Sequence, residues 1–379
     1  MTNRASVVVT TINDGSFLDK YANQIVQEQA LDTVEIIVIP DRKTPAQIFE
    51  RCEVLEKRGI RISRPTLEEQ DAFIKKLNLS HIIPHNSDNR RNIGFLMALE
   101  NGCDFLISID DDNFCRDDEP FFAEHAIVCQ PEIEFDSVNT SNGWFNICDL
   151  MVVEPSNTYP RGFPYYARYQ PSEIKVSQES GSVHLNAGLW LGDPDLDAIT
   201  WLAMRPRSQS FKGASTVLGR DTWSPINTQN TALNREAIVA YYFLRMGYPM
   251  AGMQIDRYGD IFSGYFSQAC VRHLGFRIRV GTPIANHMRN SHNYLRDLTN
   301  ELACIWLIED LSAWLREVNL DGTTYASSYL SLASALDDAA EEFSGFIWND
   351  STRGYVHQMA YCMRAWVKAV KTIEGTANV

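Results

Sequence analysis

The chain has 379 residues, of which 45% are hydrophobic, 11% aromatic and 22% charged. This length fits one large α/β domain with an appendage, or two domains, and the composition excludes a disordered chain. The 34 Lys and Arg against 48 Asp and Glu give a formal net charge of −14, which argues against a broad basic surface for nucleic acid or anionic lipid.

Neither a membrane span nor an exported protein is indicated by the sequence. No apolar run approaches the length that crosses a bilayer. The first residues are strand-like and lack the pattern of a signal peptide. Eight cysteines are scattered without a C-x-x-C pair, which excludes the usual zinc ribbon and redox motif. We therefore expect a cytoplasmic protein with buried thiols.

The first 112 residues alternate β-branched apolar runs with helical patterns. Strands are predicted at 7–11, 34–39 and 105–109, and helices lie between them, the last at 92–101. Strand and helix alternating at this spacing indicate βαβ units. The sequence therefore predicts an α/β fold with a parallel sheet in this part of the chain.

The rest of the chain divides into an irregular zone and a helical zone. Residues 113–293 show short strands, one predicted helix at 235–246 and a Ser/Lys/Gly-rich segment at 205–223 that is typical of a mobile loop. Residues 294–379 carry amphipathic helical stripes rich in tryptophan. We expect one domain at 1–293 that contains the site, followed by a C-terminal helical region at 294–379 through which copies of the chain could associate.

The strongest local signal is an aspartate triad, Asp110, Asp111 and Asp112, directly after the apolar run 105–109. Carboxylates at a strand end repel one another and lose hydration, a cost that a divalent cation removes. Ligands of open α/β sheets bind at the carboxyl ends of the strands. An isolated D-x-D is also typical of a solvated acidic turn, but the preceding buried strand favours a Mn²⁺ or Mg²⁺ site that includes Asp110 and Asp112.

Several familiar cofactor motifs are absent. No two glycines lie two residues apart, so the G-x-G-x-x-G signature of flavin and NAD sites cannot occur. There is also no G-x-x-x-x-G-K-[ST] loop and no G-x-S-x-G elbow. We expect neither flavin nor NAD, and expect phosphates to be held by a metal ion and arginine.

Three further clusters contain candidate residues. Arg161 lies among aromatic residues and either holds a diphosphate through its planar fork or stacks on a ring. Asp260 follows an apolar stretch and is either a base or hydroxyl ligand, or a helix cap. His287 ends an apolar run and is either a nitrogen ligand for the same metal or a structural histidine.

In this order, the motifs resemble those of the reversibly glycosylated polypeptides, the plant UDP-arabinopyranose mutase family. The matching segments are IDDDNF at 109–114, RGFPYYAR at 161–168, GLWLGDPDLDA at 188–198, NTALNREAI at 230–238, RYGDIFSGY at 257–265 and PIANH at 283–287. The resemblance covers about residues 5–290 and implies a GT-A-like (Rossmann-like) α/β fold for nucleotide sugars, with a mixed, mainly parallel central sheet. Ala187 and Gly259 depart from the family pattern, as does the segment 43–90.

The resemblance also implies roles for individual residues. Metal ligands would be Asp110, Asp112 and His287, and the catalytic pair would be Arg161, the position that becomes glycosylated in the family, and Asp260. Nucleotide contacts are expected from Thr10, Thr11, Asn13, Asp41, Arg90, Arg91 and Asp111, with surface arginines as the alternative for Arg90 and Arg91. Sugar contacts are expected from Trp190 and Asp195, with a core position as the alternative for Trp190.

The implied activity is a metal-dependent, flavin-independent interconversion of the pyranose and furanose forms of a nucleotide sugar. The substrate would be of the UDP-L-arabinose type, or of the GDP-L-galactose type that some bacterial relatives use. A glycosyltransferase that moves the sugar to an acceptor or to itself is the alternative, and a non-catalytic subunit is a third. The intact aspartate triad argues against the third hypothesis.

Overall fold

A computed structural model describes residues 2–375 as a large mixed sheet covered by helices. The strands are β1 (Ala5–Thr11), β2 (Val34–Pro40), β3 (Arg61–Ser63), β4 (Phe105–Ile109), β5 (Asn113–Cys115), β6 (Ile133–Thr140), β7 (Met151–Glu154), β8 (Ile174–Gly181), β9 (Val183–Gly192), β10 (Arg207–Phe211), β11 (Thr216–Leu218), β12 (Asn230–Asn234), β13 (Tyr248–Met250), β14 (Met253–Ile255) and β15 (Arg277–His287).

Eleven α-helices lie in the described residues, together with 3₁₀ turns. The α-helices are α1 (Leu18–Gln27), α2 (Gln47–Lys57), α3 (Leu67–Lys76), α4 (Arg91–Glu100), α5 (Phe121–His125), α6 (Tyr165–Arg168), α7 (Ala198–Ala203), α8 (Gly259–His273), α9 (Tyr294–Glu317), α10 (Tyr325–Glu342) and α11 (Asp350–Ile373). The 3₁₀ turns are Asp88–Arg90, Ala126–Cys129, Ile147–Leu150 and Arg235–Ala240.

The main sheet has the strand order β3-β2-β1-β4-β12-β9-β15-β11-β6-β8. Its first four strands are parallel, as expected for βαβ units. Strand β12 is antiparallel to both β4 and β9, and β9 is parallel to β15. The predicted α/β fold with a mixed sheet and C-terminal helices is therefore confirmed.

This topology brings the carboxyl ends of five strands to one edge. Because β12 runs antiparallel to both of its neighbours, β9 and β15 point in the same direction as β1, β2 and β4. Asp110 follows β4, Asp195 follows β9, and His287 ends β15. Residues that are far apart in the chain therefore meet at this edge.

The C-terminal helices pack against the sheet's own core rather than apart from it. Trp366 of α11 is fully buried, and its indole Nε1 donates to the carbonyl of Ile238 at 3.4 Å. Helix α9 begins at Tyr294, next to the predicted boundary at 293. The division into 1–293 and 294–379 stays a prediction, and its ends, residues 1 and 376–379, lie outside the described residues.

The predicted helix at 235–246 is wrong. Only Arg235–Ala240 is helical, as a 3₁₀ turn, and residues 241–247 have no regular secondary structure. Side chains replace the helical hydrogen bonds here: the buried Asn92 accepts from the backbone N–H of Phe243 at 2.8 Å and donates to its carbonyl at 2.8 Å. The apolar pattern reflects burial on all sides, which a helical period does not distinguish.

The predicted mobile loop at 205–223 is also wrong. It contains β10, which pairs with β7 and β9, and β11, which lies between β15 and β6. Short strands with polar residues on one face lack the apolar run that indicates a strand in sequence.

Two global expectations can be compared with the described residues. None of the helices within residues 2–375 combines the length and apolar character needed to cross a bilayer. All eight cysteines are free, and seven of them are buried.

Candidate functional site

A cavity of about 510 Å³ opens at the carboxyl ends of the strands. A volume of this size is typical of small-ligand sites. All but two of the predicted site residues line it: Thr10, Thr11, Asp41, Arg90, Arg91, Asp110, Asp111, Asp112, Arg161, Asp195, Asp260 and His287.

Trp190 and Asn13 are the two that do not line the cavity. The Trp190 side chain is only 2% exposed and packs in the hydrophobic core, so the geometry does not support its predicted contact with sugar. Asn13 follows β1, and its backbone N–H donates to Thr11 Oγ1 at 2.9 Å. It stabilises the turn beside the cavity.

Arg161 is held between two carboxylates at the wall of the cavity. Its Nε and Nη2 donate to Asp195 at 2.9 and 3.1 Å, and its Nη1 and Nη2 donate to Asp260 at 3.0 and 2.7 Å. Nη1 also donates to the carbonyl of Arg257. These bonds use all five N–H groups of the guanidinium, so Arg161 has no donor left for a phosphate.

Charge pairing fixes the protonation of this group. Burial would disfavour charge on either side, but the carboxylates of Asp195 and Asp260 raise the pKa of Arg161 well above its ordinary value. Burial likewise opposes ionisation of Asp195, yet the charge and hydrogen bonds of Arg161 lower its pKa to about 2. Arg161 is therefore a protonated cation and Asp195 an anion at neutral pH.

Each aspartate of the triad has different hydrogen-bond partners. Asp110 accepts from Arg91 Nη2 at 2.6 Å. Asp111 accepts from Thr11 Oγ1 at 2.6 Å and from the backbone N–H of Ile12 at 3.3 Å. Burial raises the pKa of Asp111 to about 6, and the neighbouring carboxylates add to the effect despite the hydrogen bond from Thr11. Asp111 thus retains an electrostatic cost that a bound cation would relieve.

Asp112 and His287 are next to each other, with Nε2 and Oδ2 3.5 Å apart. Burial would lower the pKa of His287, but the hydrogen bond and charge of Asp112 raise it. Across residues 2–375 no three His, Cys, Asp or Glu side chains converge as a ready-made metal cage. Of the three predicted ligands, two are neighbours, while Asp110 is paired with arginine.

Arg90 and Arg91 are buried and already bonded. Arg91 donates to Ser108 Oγ at 2.8 Å and to the carbonyls of Ile109 and Thr228, in addition to its pair with Asp110. Arg90 donates to the side chain of Gln70 and lies 3.5 Å from Asp71. These bonds hold the strand ends together, while Nη1 of Arg90 and Nε of Arg91 are buried without a hydrogen-bond partner. The predicted contact of either residue with phosphate stays a prediction.

Arg289 is a cavity residue that the sequence analysis did not predict. It lines the cavity two residues after His287, and its guanidinium stacks over Trp201 at 5.0 Å and Tyr294 at 5.8 Å. Its Nη1 is buried without a hydrogen-bond partner. Within the described chain it is the one cavity arginine that has no carboxylate at ion-pair distance. Only its spacing from His287 could have indicated it.

The fold and the cavity define an α/β protein whose ligand site lies at the carboxyl ends of its strands and combines acidic and arginine side chains. The chain belongs to the family described as "Reversibly glycosylated polypeptide", whose model matches residues 2–375. The family predicted from the motifs is confirmed.

Curated relatives extend over most of the chain. "Probable UDP-arabinopyranose mutase 4" of Arabidopsis thaliana is 24% identical over 294 residues, which cover 76% of this chain and 73% of that protein. "UDP-arabinopyranose mutase 1" of the same plant is 26% identical over 269 residues, or 70% of this chain and 68% of that protein.

Solved structures are similar only at a distance. Glucosyl-3-phosphoglycerate synthase from Mycobacterium tuberculosis, in complex with Mn²⁺ and UDP-glucose, has a TM-score of 0.39 and 11% identity over 81% of this chain and 79% of that chain. The mannosyltransferase PcManGT from Pyrobaculum calidifontis has a TM-score of 0.34 and 9% identity over 100% of this chain and 77% of that chain. Similarities this low carry no information about the substrate.

Proposed function

We propose that this protein is a metal-dependent, flavin-independent nucleotide-sugar mutase that interconverts pyranose and furanose forms. The observation that carries the proposal is a single cavity that joins the aspartate triad to the Arg161 cluster and to Arg289. Membership of the reversibly glycosylated polypeptide family and the names of its curated relatives support the same reaction.

Arg289 is the proposed contact for the diphosphate. A guanidinium without a carboxylate partner has donors free for an incoming anion. The rings of Trp201 and Tyr294 fix its plane, so little side-chain entropy is lost on binding. As the bond between the anomeric carbon and the diphosphate breaks, negative charge grows on the phosphate oxygens, and a preorganised cation there stabilises it.

Mn²⁺ or Mg²⁺ would be held by Asp112 and His287, with Asp111 close by. Such ions commonly take one or two protein carboxylates and complete their shell with water and substrate phosphates, so the absence of a complete protein cage among residues 2–375 is compatible with this. When bound, the ion would neutralise the diphosphate as it leaves.

The cluster of Arg161, Asp195 and Asp260 is proposed to face the sugar. Arg161 holds both carboxylates in position through its hydrogen bonds. An ionised carboxylate beside the anomeric carbon stabilises the oxocarbenium-like centre left when the C1–O bond to the diphosphate breaks. The C1–O5 bond then gives way to a C1–O4 bond, the O4 proton passes to O5, and the diphosphate bonds again to C1. Asp260 can also orient a sugar hydroxyl. All five N–H groups of Arg161 are engaged in hydrogen bonds. We therefore propose that Arg161 positions these carboxylates and is not itself the sugar acceptor.

The base and sugar of the substrate, the cellular location and the oligomeric state are further proposals. UDP-L-arabinose and GDP-L-galactose are both candidates for the substrate, and the names of the curated relatives favour the first. A cytoplasmic site of action is supported by eight free cysteines. Homo-oligomerisation through the helical region stays a prediction that sedimentation analysis can test.

The test is an incubation of the purified protein with Mn²⁺ and either nucleotide sugar, without any acceptor, followed by chromatography and NMR. We expect a furanose nucleotide of unchanged mass, whose formation stops on chelation and in Asp260→Asn. Trp190→Phe is the matched control, since that ring lies in the core. Release of free nucleotide with labelled protein would instead establish a glycosyltransferase, the alternative reading of the same cavity.

A further inference from the structure

A second cavity, of about 320 Å³, lies at the other end of α8 from the candidate site. Asp260, in the first turn of α8, lines the first cavity, whereas Arg272, in its last turn, lines the second. A helix rises about 1.5 Å per residue, so the 15 residues of α8 separate the two by about 20 Å. The second cavity is therefore a distinct place in the fold.

Its lining is strongly basic in an acidic protein. The charged residues at its wall are four arginines and one aspartate: Arg220, Arg272, Arg277, Arg316 and Asp221. The end of α8 adds roughly half a negative charge. An excess of positive charge remains, whereas the whole chain has a net charge of −14.

These arginines are fixed by carbonyls and rings rather than by acids. Arg272 donates to the carbonyls of Gly219 at 2.7 Å and Arg220 at 2.6 Å, and its guanidinium lies over the ring of Trp223 at 4.7 Å. Arg316 donates to the carbonyl of Asn142 at 3.2 Å. Carbonyls orient a guanidinium without cancelling its charge.

Carboxylate partners are nearly absent around the cluster. In the part of the chain that is described, Arg220, Arg272 and Arg316 form no ion pair, and Arg277 reaches Glu179 only at 3.7 Å. Burial lowers the pKa of Arg272 to about 9, with Asp221 opposing the shift and Arg277 and Arg316 adding to it. The positive charges of Arg272, Arg277 and Arg316 therefore repel one another with little carboxylate charge to neutralise them.

Unused donors accompany the unused charge. Arg272 and Arg277 each have a buried Nε without a hydrogen-bond partner, and Arg277 and Arg316 each make a single hydrogen bond to a carbonyl. Each guanidinium offers five N–H groups. A tetrahedral oxyanion supplies acceptors that match them in number and charge.

We propose that the second cavity binds a small solute through a phosphate or sulfate group held by Arg272, Arg277 and Arg316. Trp223 and Phe276 provide an apolar wall for the rest of the molecule. The cavity is separate from the proposed nucleotide-sugar site, so this inference does not depend on the proposed reaction.

The experiment measures phosphate binding to the full chain by calorimetry, and by thermal unfolding in phosphate against chloride at equal ionic strength. Arg289→Gln removes the proposed phosphate contact of the first cavity, so the part of the remaining phosphate binding that depends on the second-cavity arginines reports the second cavity. In that background we expect Arg316→Gln to weaken phosphate binding about tenfold or more, as the loss of a charged hydrogen bond does. A second arm with a sugar phosphate tests whether the apolar wall adds affinity over inorganic phosphate.

Arg220→Gln, an exposed change that cannot disturb packing, keeps the test open if Arg316→Gln does not fold. It should weaken phosphate binding by a few-fold through the lost charge. Phosphate that binds Arg289→Gln no better than chloride does would overturn the proposal. So would binding that survives unchanged in both second-cavity variants.

Discussion

Arg161 donates two parallel hydrogen bonds to the carboxylate of Asp260, from Nη1 at 3.0 Å and from Nη2 at 2.7 Å. The same guanidinium donates from Nε and Nη2 to the carboxylate of Asp195 on its other edge. Bidentate geometry of this kind is specific to arginine, because an ammonium cannot present two parallel donors. The relationship makes Arg161 a support for two anions rather than a free cation.

Replacing Arg161 by lysine should abolish turnover while also lowering stability. Lysine has three donors on one nitrogen and cannot satisfy both buried carboxylates. Breaking a buried pair typically costs about 3–5 kcal/mol when a charge is left uncompensated, and a retained charge should keep the loss towards the lower end. Urea unfolding and the mutase assay measure the two effects.

Arg235→Lys is the control for that substitution, since Arg235 lies outside the cavity and donates to backbone carbonyls. A sugar adduct on Arg161, detected by mass spectrometry and turning over as fast as product forms, would contradict the positioning role. It would establish Arg161 as a covalent acceptor.

Arg289→Gln should weaken nucleotide binding with little effect on folding. No ion pair is lost within the described residues, so the free energy of unfolding should change by less than about 1 kcal/mol. A charged hydrogen bond to phosphate is worth about 1.5–3 kcal/mol, which is about 10- to 100-fold in affinity. Calorimetry with UDP and with uridine separates the two parts: only UDP binding should fall. Equal loss for both ligands would show that Arg289 supports the base.

The strand ends were the part of the site that the sequence could predict. Asp110 and His287 directly follow or end apolar runs, and parallel strands bring such positions to one edge. The partners of Arg161 could not be predicted, because Asp195 and Asp260 lie 34 and 99 residues away and only the tertiary fold shows which carboxylates meet it. Arg289 could not be predicted for a similar reason, because its distinguishing property is the lack of a carboxylate at ion-pair distance.

Residues 241–247 show where local pattern fails. Their apolar character predicts a helix, but Asn92 and Asn89 bond the backbone of Phe243 in an irregular form. A side chain that replaces secondary structure cannot be recognised from periodicity, which reports only which positions are buried.

Asn92→Ala should therefore be strongly destabilising, although Asn92 lies in a helix, where alanine is favoured. The buried N–H of Phe243 would lose its partner, at about 1–3 kcal/mol, whereas its carbonyl keeps the bond from Asn89. We expect the free energy of unfolding to fall by about 1–3 kcal/mol, measured with urea. Asn23→Ala, at an exposed position of α1, should stay within about 0.5 kcal/mol. A similar small change for Asn92→Ala would show that the segment is held by packing alone.

Stability should decrease below pH 6.5 because of His125. This fully buried ring is hydrogen-bonded to Asn230 and Asn186, and burial lowers its pKa to about 3 although the bond with Asn230 opposes the shift. In the unfolded chain the imidazole of His125 is protonated below about pH 6.5, whereas in the folded chain it is protonated only below about pH 3. The contribution is fully present above pH 6.5 and is lost as the pH falls towards 3.

Urea unfolding at pH 7 and pH 5 tests this titration. Between these values His125 alone should cost the folded state about 2 kcal/mol. His125→Gln lacks the titrating ring, so its unfolding free energy should fall by correspondingly less over the same interval. His81→Gln, at an exposed position, should follow the native chain. If His125→Gln shows the native pH dependence, the ring is not the group responsible.

Mn²⁺ should stabilise the folded protein through Asp112 and His287. A ligand at 100 times its dissociation constant adds about 2.7 kcal/mol to the free energy of unfolding. We expect Mn²⁺ to raise the unfolding temperature of the native chain, and EDTA to reverse the rise. Asp112→Asn should lose most of the effect, because it removes a carboxylate charge beside His287. Asp118→Asn, at an exposed carboxylate paired with Arg116, controls for nonspecific binding. An equal rise in both variants would place the ion elsewhere on this acidic surface.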